Sequence, residues 1–324
     1  MMAPLLLAQL RELYDRRPST FEAAGPQAAH LASLGWMMSV VGTVVFLVVM
    51  ALLLIPVYRK RNAERVDGIP LAVNERAWLV YAGMAVPAII LAGVFLLTLT
   101  AYRTHTSEAP AAFTIEVIGH QWWWEVRYPD QHVLTANELH IPVGRPVRIL
   151  LTSDDVIHSF WVPNLAGKTD AIPGVTNTAW LQADSAGTWR GTCAEYCGLQ
   201  HAHMALSVVA EADGNLSRWL ANERTLAAIP GDSAVLEGEH VFLTRQCVYC
   251  HTVRGTQATG RVGPDLTHLA SRLTLASGTL PNTRGNLAAW LVSPDRLKPG
   301  TKMPAVPLDG AEVQAIVTYL ESLK

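Results

Sequence analysis

Charged side chains are scarce in this sequence: Asp, Glu, Lys and Arg make up 16% of 324 residues, against 50% hydrophobic. That balance leans away from an ordinary soluble chain and toward a membrane protein. The scarcity is also concentrated, because residues 31–58 and 77–102 contain no Asp, Glu, Lys or Arg at all. Each run exceeds the ~20 apolar residues that cross a bilayer. A soluble core helix seldom keeps charge off every face for so long, so residues 31–102 are expected to form a transmembrane hairpin in contact with lipid. Pro87 inside the second run is tolerated in a spanning helix. Cysteine is scarce as well: there are four, in two tight pairs at 193/197 and 247/250. Repeats of fixed period and low-complexity tracts are absent. The net charge of −2 gives no footing for a nucleic-acid partner, and none is expected.

Between the two apolar runs, Arg59, Lys60, Arg61, Arg65 and Arg76 outnumber Glu64, Asp67 and Glu75. Basic loops stay in the cytoplasm. Both ends of the chain then face the other side: residues 1–30 as an N-terminal extracytoplasmic segment, and everything after residue 102 as soluble domains. The short apolar stretch at residues 4–10 precedes its charges, the reverse of a cleavable signal sequence.

After the second run come short segments rich in Val, Ile, Thr and Trp at residues 113–128, 138–141, 147–152, 177–182, 188–192 and 205–210. Turn residues such as Pro142, Gly144, Pro173 and Gly174 separate them, which predicts an all-β, antiparallel sandwich or barrel over residues 103–212. Residues 213–233 read as a linker with a short helix near 216–226. Residues 234–324 differ again, opening and closing on helical runs at 234–244 and 309–323. The soluble segments differ in sign: residues 108–210 hold ten acidic and five basic side chains, residues 234–324 seven acidic and nine basic. That asymmetry would let the two domains dock electrostatically.

The first cysteine pair lies in a loop with Cys193, Cys197, His201 and Met204. Thiolate, imidazole and thioether together are the donor set of copper electron-transfer sites. Two cysteines on one loop can bridge two copper ions. A disulfide or a zinc site would use the same cysteines but leaves Met204 unexplained. His203 competes with His201, and His158 is the best further imidazole.

Residues 31–210 resemble subunit II of cytochrome c oxidase. The likeness rests on the helix pair, Gly119-His120-Gln121-Trp122-Trp123-Trp124, Asp155 through His158, Lys168 through Gly174, and the Cys-x-Glu-x-Cys-Gly-x-x-His-x-x-Met loop, all in family order. The resemblance implies a cupredoxin sandwich holding a dinuclear copper-A centre. Its ligands would be His158, Cys193, the Glu195 carbonyl, Cys197, His201 and Met204, with the Glu195 side chain on a magnesium ion at the boundary with subunit I. It also implies that electrons enter at Trp122 and that Glu75 stands at the mouth of a proton channel in subunit I.

The second pair forms Cys247-x-x-Cys250-His251, the haem c attachment motif, with thioethers from both thiols and an axial imidazole. A His/Met pair raises the haem potential, and Met303 is the one methionine after Met204. The competing sixth ligand is His268, whereas His240 reads as a surface helix residue. Residues 234–324 resemble an all-α class I cytochrome c, and the fusion resembles the caa-type oxidases. With all four cysteines assigned, no disulfide is expected.

A membrane-anchored multidomain chain of this kind is expected in a bacterial inner membrane, with its domains on the periplasmic side. It would take electrons from an external cytochrome c through haem c to copper-A and on to subunit I. There haem a and haem a3 with copper-B reduce dioxygen to water with proton translocation, and subunit III joins the complex. The same centres would also serve a nitric oxide reductase or a free membrane-anchored carrier. A nitrous oxide reductase is disfavoured by the two spans and the lack of a propeller-sized segment.

Overall fold

The computed structural model describes residues 18–62, 74–105, 111–228 and 231–324. Most of the basic loop, and the first part of the expected N-terminal segment, lie outside these residues. The chain divides into two compact units, one of residues 30–109 and one of residues 1–29 with 110–324.

The smaller unit is helical. Helix α1 runs Pro26–Asn62, and the second apolar run is α2 (Glu75–Val80), a wide turn (Tyr81–Ala85) and α3 (Val86–His105). Asn74 caps α2 by accepting from the Ala77 amide at 3.1 Å, the usual role of an N-cap amide side chain. The wide turn has a local cause. Pro87 has no N–H to donate one turn back, and the Val86 N–H instead reaches the Tyr81 carbonyl, five residues away. Large apolar side chains such as Phe46, Leu53, Leu79, Ile89 and Phe95 are exposed, as expected of helices whose solvent is hydrocarbon. Hydroxyls within the spans satisfy themselves: Ser39, Thr43 and Thr98 each donate to the carbonyl four residues back, the economy lipid demands of polar groups.

The larger unit contains a β-sandwich. One sheet has the order β3-β2-β1-β5-β8, with β1 Thr114–His120, β2 Trp123–Tyr128, β3 Val133–Ala136, β5 Val147–Ser153 and β8 Asn177–Leu181. The other has the order β4-β10-β9-β6-β7, with β4 Glu138–Pro142, β6 His158–Trp161, β7 Thr169–Ala171, β9 Gly187–Cys193 and β10 Ala205–Glu211. Alternation fills the core between them, as in β5, where Val147, Ile149 and Leu151 point inward and Arg148 outward, the period of two of a half-buried strand. The expectation of a purely antiparallel sandwich is corrected: β1 runs parallel to β5, and β4 parallel to β10. Chain that crosses between sheets returns in the same direction, and local patterning cannot show this. The single run at 113–128 is two strands that turn at Gln121 and Trp122.

Residues expected as a linker begin as helix α4 (Asp213–Glu223), which packs on the sandwich. Trp219 stacks on His140 with ring centroids 3.9 Å apart and meets the edge of Tyr128 at 5.5 Å. On the other side of the sandwich, the Ala24 amide donates to the Asn164 carbonyl at 2.7 Å and the Asp184 amide to the Ala24 carbonyl at 2.9 Å.

The helical domain is built from α5 (Ser233–Thr244), α6 (Cys247–Cys250), a hairpin of β11 (Thr274–Leu275) and β12 (Leu280–Pro281), α7 (Arg284–Val292), α8 (Pro294–Leu297) and α9 (Gly310–Ser322). Helices α5 and α9 cross closely at Gly238, where a Cβ would stand 2.0 Å from the Ala315 carbonyl oxygen; only glycine fits there. An Asp309/Glu312 capping box starts α9.

The sandwich and the helical domain meet through hydrogen bonds. The Ala205 amide donates to the Ser277 carbonyl at 3.0 Å, the Ser277 hydroxyl to the Ala205 carbonyl at 2.8 Å, and Arg190 to the Gly278 carbonyl at 2.8 Å. The Leu273 amide donates to the Glu138 carboxylate at 3.0 Å. Charge asymmetry led to an expectation of electrostatic docking; one ion pair, Lys302 with Asp155 at 3.6 Å, crosses the junction, beside hydrogen bonds that mostly reach backbone atoms.

His140 lies beneath Trp219 and within hydrogen-bond reach of Glu138 at 2.9 Å and Glu211 at 3.1 Å. Burial alone would push its pKa down, but the bonds and charges of the two carboxylates outweigh it and hold the imidazole at about 9. A folded pKa above the ordinary value of about 6.5 makes the charged pairings stabilising below that pH and weaker through about 9. The thermal midpoint of the sandwich should therefore fall as pH rises across that window, and His140→Gln should flatten the slope. Calorimetry of the detergent-solubilised chain at stepped pH measures both.

Candidate functional site

Strand β9 ends at Cys193, and the loop from there to β10 carries Cys197, His201 and Met204. The loop is pinned at its base, where the Cys193 amide donates to the Met204 carbonyl at 2.9 Å and the Ala194 amide to the Ser159 carbonyl at 2.9 Å. Because β6 lies beside β9, the start of β6 delivers His158 to the same place. This is the long-range pairing that the sequence could suggest only by resemblance.

The donor atoms form a continuous chain. His158 Nδ1 is 3.9 Å from Cys193 Sγ, the two sulfurs are 3.8 Å apart, and Cys197 Sγ is 3.8 Å from His201 Nδ1 and 3.9 Å from Met204 Sδ. Cys193 Sγ lies 3.2 Å from the Glu195 carbonyl oxygen. His158 and Met204 are fully buried, Cys193 and Cys197 nearly so. The sulfurs stand far beyond the ~2.05 Å of a covalent S–S bond, and both cysteines are free. Soft sulfur with imidazole in a shielded pocket fits copper of either redox state. His203 turns elsewhere and pairs with Gln200 at 2.8 Å. The 3-10 turn His201–His203 accounts for the split, since at three residues per turn positions two apart point to different sides.

Electrostatics prepare the thiols for a cation. The Cys193 thiol is held down at about 3, first by its hydrogen bond with Cys197 and then, against burial, by those with His158 and backbone amides. Cys197 is pushed up by the same neighbour. One proton thus stays on the pair and would leave as metal binds.

Asp155 is one residue at this site whose part sequence reasoning missed. Its carboxylate accepts from His158 Nε2 at 2.8 Å and from the Gln121 amide at 2.6 Å. The imidazole is thereby oriented with Nδ1 toward the sulfurs, the usual task of a carboxylate behind a ligating histidine. Burial would raise the carboxyl's pKa, but these bonds and the Val156 amide hold it below its ordinary range. Position 155 stood in the motif quoted with His158, and its spacing of three was the available signal. Gln121 and Trp122 act from the β1–β2 turn, each donating to the Cys197 carbonyl, at 2.8 Å from Gln121 Nε2 and 3.0 Å from Trp122 Nε1. Trp123 stacks on His120, and Trp124 is core.

The second site is a cavity lined by Cys247, Cys250, His251 and Met303, with apolar walls that include Phe242, Leu266 and Leu291. Trp122 and Trp123 of the sandwich complete its wall. His251 Nδ1 donates to the Pro264 carbonyl at 2.8 Å, which leaves Nε2 for iron, and burial pushes its pKa down, favouring the neutral form that ligates. Arg272 lines the cavity, is buried, and its Nε has no hydrogen-bond partner. An unpaired guanidinium N–H is costly inside a protein, and an acidic haem side chain would satisfy it, so the residues fit a haem. His268 is engaged elsewhere, with the Lys324 backbone oxygen at 2.7 Å and the Thr225 carbonyl at 3.3 Å. His240 is exposed on α5.

Two expected residues have less around them. The Glu195 side chain is exposed. The one metal-holding group of His, Cys, Asp or Glu among the described residues is His158, Cys193 and Cys197, and the Glu195 side chain is not part of it. Glu75 opens α2, and its side chain lies outside the described part.

The family described as cytochrome c oxidase subunit II, periplasmic domain, matches residues 131–211, and the cytochrome c family matches residues 235–324. Cytochrome c oxidase subunit 2 of Alkalihalophilus pseudofirmus is 33% identical, over 96% of this chain and 92% of that protein. The subunit 2 of Bacillus subtilis is 29% identical over 100% and 96%. Among solved structures, the periplasmic domain of subunit II of cytochrome oxidase of Bradyrhizobium japonicum is 32% identical, with a TM-score of 0.35, covering 36% of this chain and 96% of that one.

If Asp155 orients His158, Asp155→Asn should weaken copper retention by about 10–100-fold, the usual cost of losing such a partner, while the fold persists. Competition with a chelator, followed by copper absorption, gives the number.

Proposed function

The chain belongs to the cytochrome c oxidase subunit II family, in the form that also carries a cytochrome c domain, and on that premise we propose that it passes electrons from an external cytochrome c, through haem c and then dinuclear copper-A, to subunit I. As a subunit of a respiratory oxidoreductase it works by electron transfer. Reduction of dioxygen to water and proton translocation belong to the assembled complex, with haem a and haem a3–copper-B in subunit I and subunit III alongside.

The observation that carries this reading is the position of Trp122. Its indole forms part of the haem cavity wall and donates to the carbonyl of Cys197. When bound, haem and copper each take up and release single electrons. The protein supplies the rest. Cys247, Cys250 and His251 would fix the haem, Met303 would be its sixth ligand, and Arg272 would hold its acidic edge. His158, Cys193, the Glu195 carbonyl, Cys197, His201 and Met204 would hold the copper pair, with Asp155 behind His158. Burial excludes water and limits rearrangement on electron uptake.

The finer assignments belong to the same proposal. Glu195 would offer its carboxylate to a magnesium ion only with oxygen donors from subunit I. Glu75, at the start of the second span, would take up protons for subunit I. Sidedness follows from the basic inter-helix loop on the cytoplasmic face of a bacterial inner membrane. The soluble domains are then periplasmic, and the contacts of Ala24 with Asn164 and Asp184 support an N-terminal segment on that same side.

The purified, metal-loaded chain should show mixed-valence dinuclear copper by electron paramagnetic resonance and low-spin His/Met haem by absorption. A mononuclear copper signal would sink the central assignment. Flash reduction of the haem should be followed by copper reduction, and Trp122→Leu should slow that step with both spectra unchanged.

A further inference from the structure

The loop that carries Met303 begins at Lys298, whose ammonium is almost wholly buried. It reaches across from the helical domain to the sandwich. Lys298 Nζ donates to the Trp122 carbonyl at 2.9 Å and to the Ala276 carbonyl at 3.1 Å. One side chain therefore ties together the hairpin loop of the haem domain and the backbone of the tryptophan that walls its cavity.

Packing alone gives no reason for a lysine here. Taking an ammonium out of water is expensive, and an apolar chain of similar volume would avoid that cost. Burial pushes the Lys298 pKa down to about 7, opposed by its Coulomb interaction with Cys197. As ammonium or amine the nitrogen still has hydrogens for both carbonyls, so the contact does not depend on its charge. What a lysine adds is reach and two directed hydrogen bonds to backbone atoms that a methionine would leave unsatisfied.

The rest of the loop follows the same surface. Gln200 of the copper loop donates to the Pro299 carbonyl. Gly300 has φ +79°, a left-handed turn that calls for glycine, and it packs beside Leu199 of the copper loop. Lys302 lies 3.6 Å from the Asp155 carboxylate, the group behind His158. Residues 298–302 thus lie against the backbone and second sphere of the copper site, immediately before the sulfur expected on haem iron.

We propose that Lys298 is a positioning residue for haem-to-copper electron transfer, fastening the Met303 loop to the backbone of Trp122 so that the haem domain is a fixed donor. This rests on the reading that electrons pass from haem to copper. Lys302 is a weaker, solvent-exposed partner whose ion pair is screened by salt.

The test uses the full metal-loaded chain, in its complex where subunit I co-purifies. Native amine acylation read by mass spectrometry should label Lys302 and spare Lys298; equal labelling of the two would overturn the proposal without any variant being made. Lys298→Met should slow copper reduction after flash reduction of haem by about ten-fold or more, since small misplacements of reacting groups are costly, with haem and copper spectra intact. Lys298→Arg should recover part of the rate. Lys302→Gln should change it little, and the wild-type rate should hold as ionic strength rises. An unchanged rate in Lys298→Met, loss of either centre's spectrum in that variant, or a wild-type rate that collapses with salt would each overturn it. Absence of haem-to-copper transfer in the wild type, with Lys298 still protected from acylation, would instead sink the electron-relay reading.

Discussion

The carbonyl of Cys197 is the point on which the arrangement turns. Its two lone pairs accept from Gln121 and Trp122, while the thiol of the same residue faces Cys193, His201 and Met204. One residue therefore fastens the β1–β2 turn to the copper loop and fixes the sulfur at the centre of the donor set. Gln121 extends the constraint, because its own amide donates to Asp155, which orients His158. Loop, turn and strand end are held by one set of hydrogen bonds. Such a set raises the rigidity of a buried polar site only when every member is satisfied.

What the sequence reveals is whatever is dense and local. Cys193, Cys197, His201 and Met204 share one short loop, and Cys247, Cys250 and His251 one pentad, so their chemistry could be read without a fold. Spans free of charge announced themselves through composition. Nothing local joins residue 158 to residue 193; that neighbourhood is created by β6 pairing with β9. His201 and His203 could not be separated by spacing, and it took the handedness and tightness of a single turn to part them. Strands β3, β6 and β7 were missed because three or four residues are too few to display a period of two.

The residues that sequence reasoning missed have one thing in common. Asp155, Gln121, Arg272 and Lys298 are ordinary polar side chains whose significance comes from burial and direction. In the sequence none of them is given a role of its own, although Gln121 and Asp155 stand inside quoted motifs. In the fold the Asp155 carboxylate stands behind a ligand, Arg272 has an unmatched N–H in an apolar cavity, and Lys298 crosses a domain junction. Buried polar groups of this sort are costly unless paired, which is why they mark places where the structure does more than pack.

The junction adds short-range contacts to the long-range attraction of the two domains. Opposite net signs favour encounter, but encounter is a long-range effect, weakened by salt beyond a Debye length of about 8–10 Å. Contact is settled at short range, and there Ser277 meets Ala205, Arg190 meets Gly278 and Lys298 meets Trp122, each through a carbonyl. Backbone acceptors do not change with pH or ionic strength, and their positions are set by the strands and turns that carry them. A docking surface made this way fixes orientation as well as proximity. Orientation is what a tethered donor needs, because the tether already supplies a high local concentration, and further attraction without alignment would leave the haem edge free to face the wrong way.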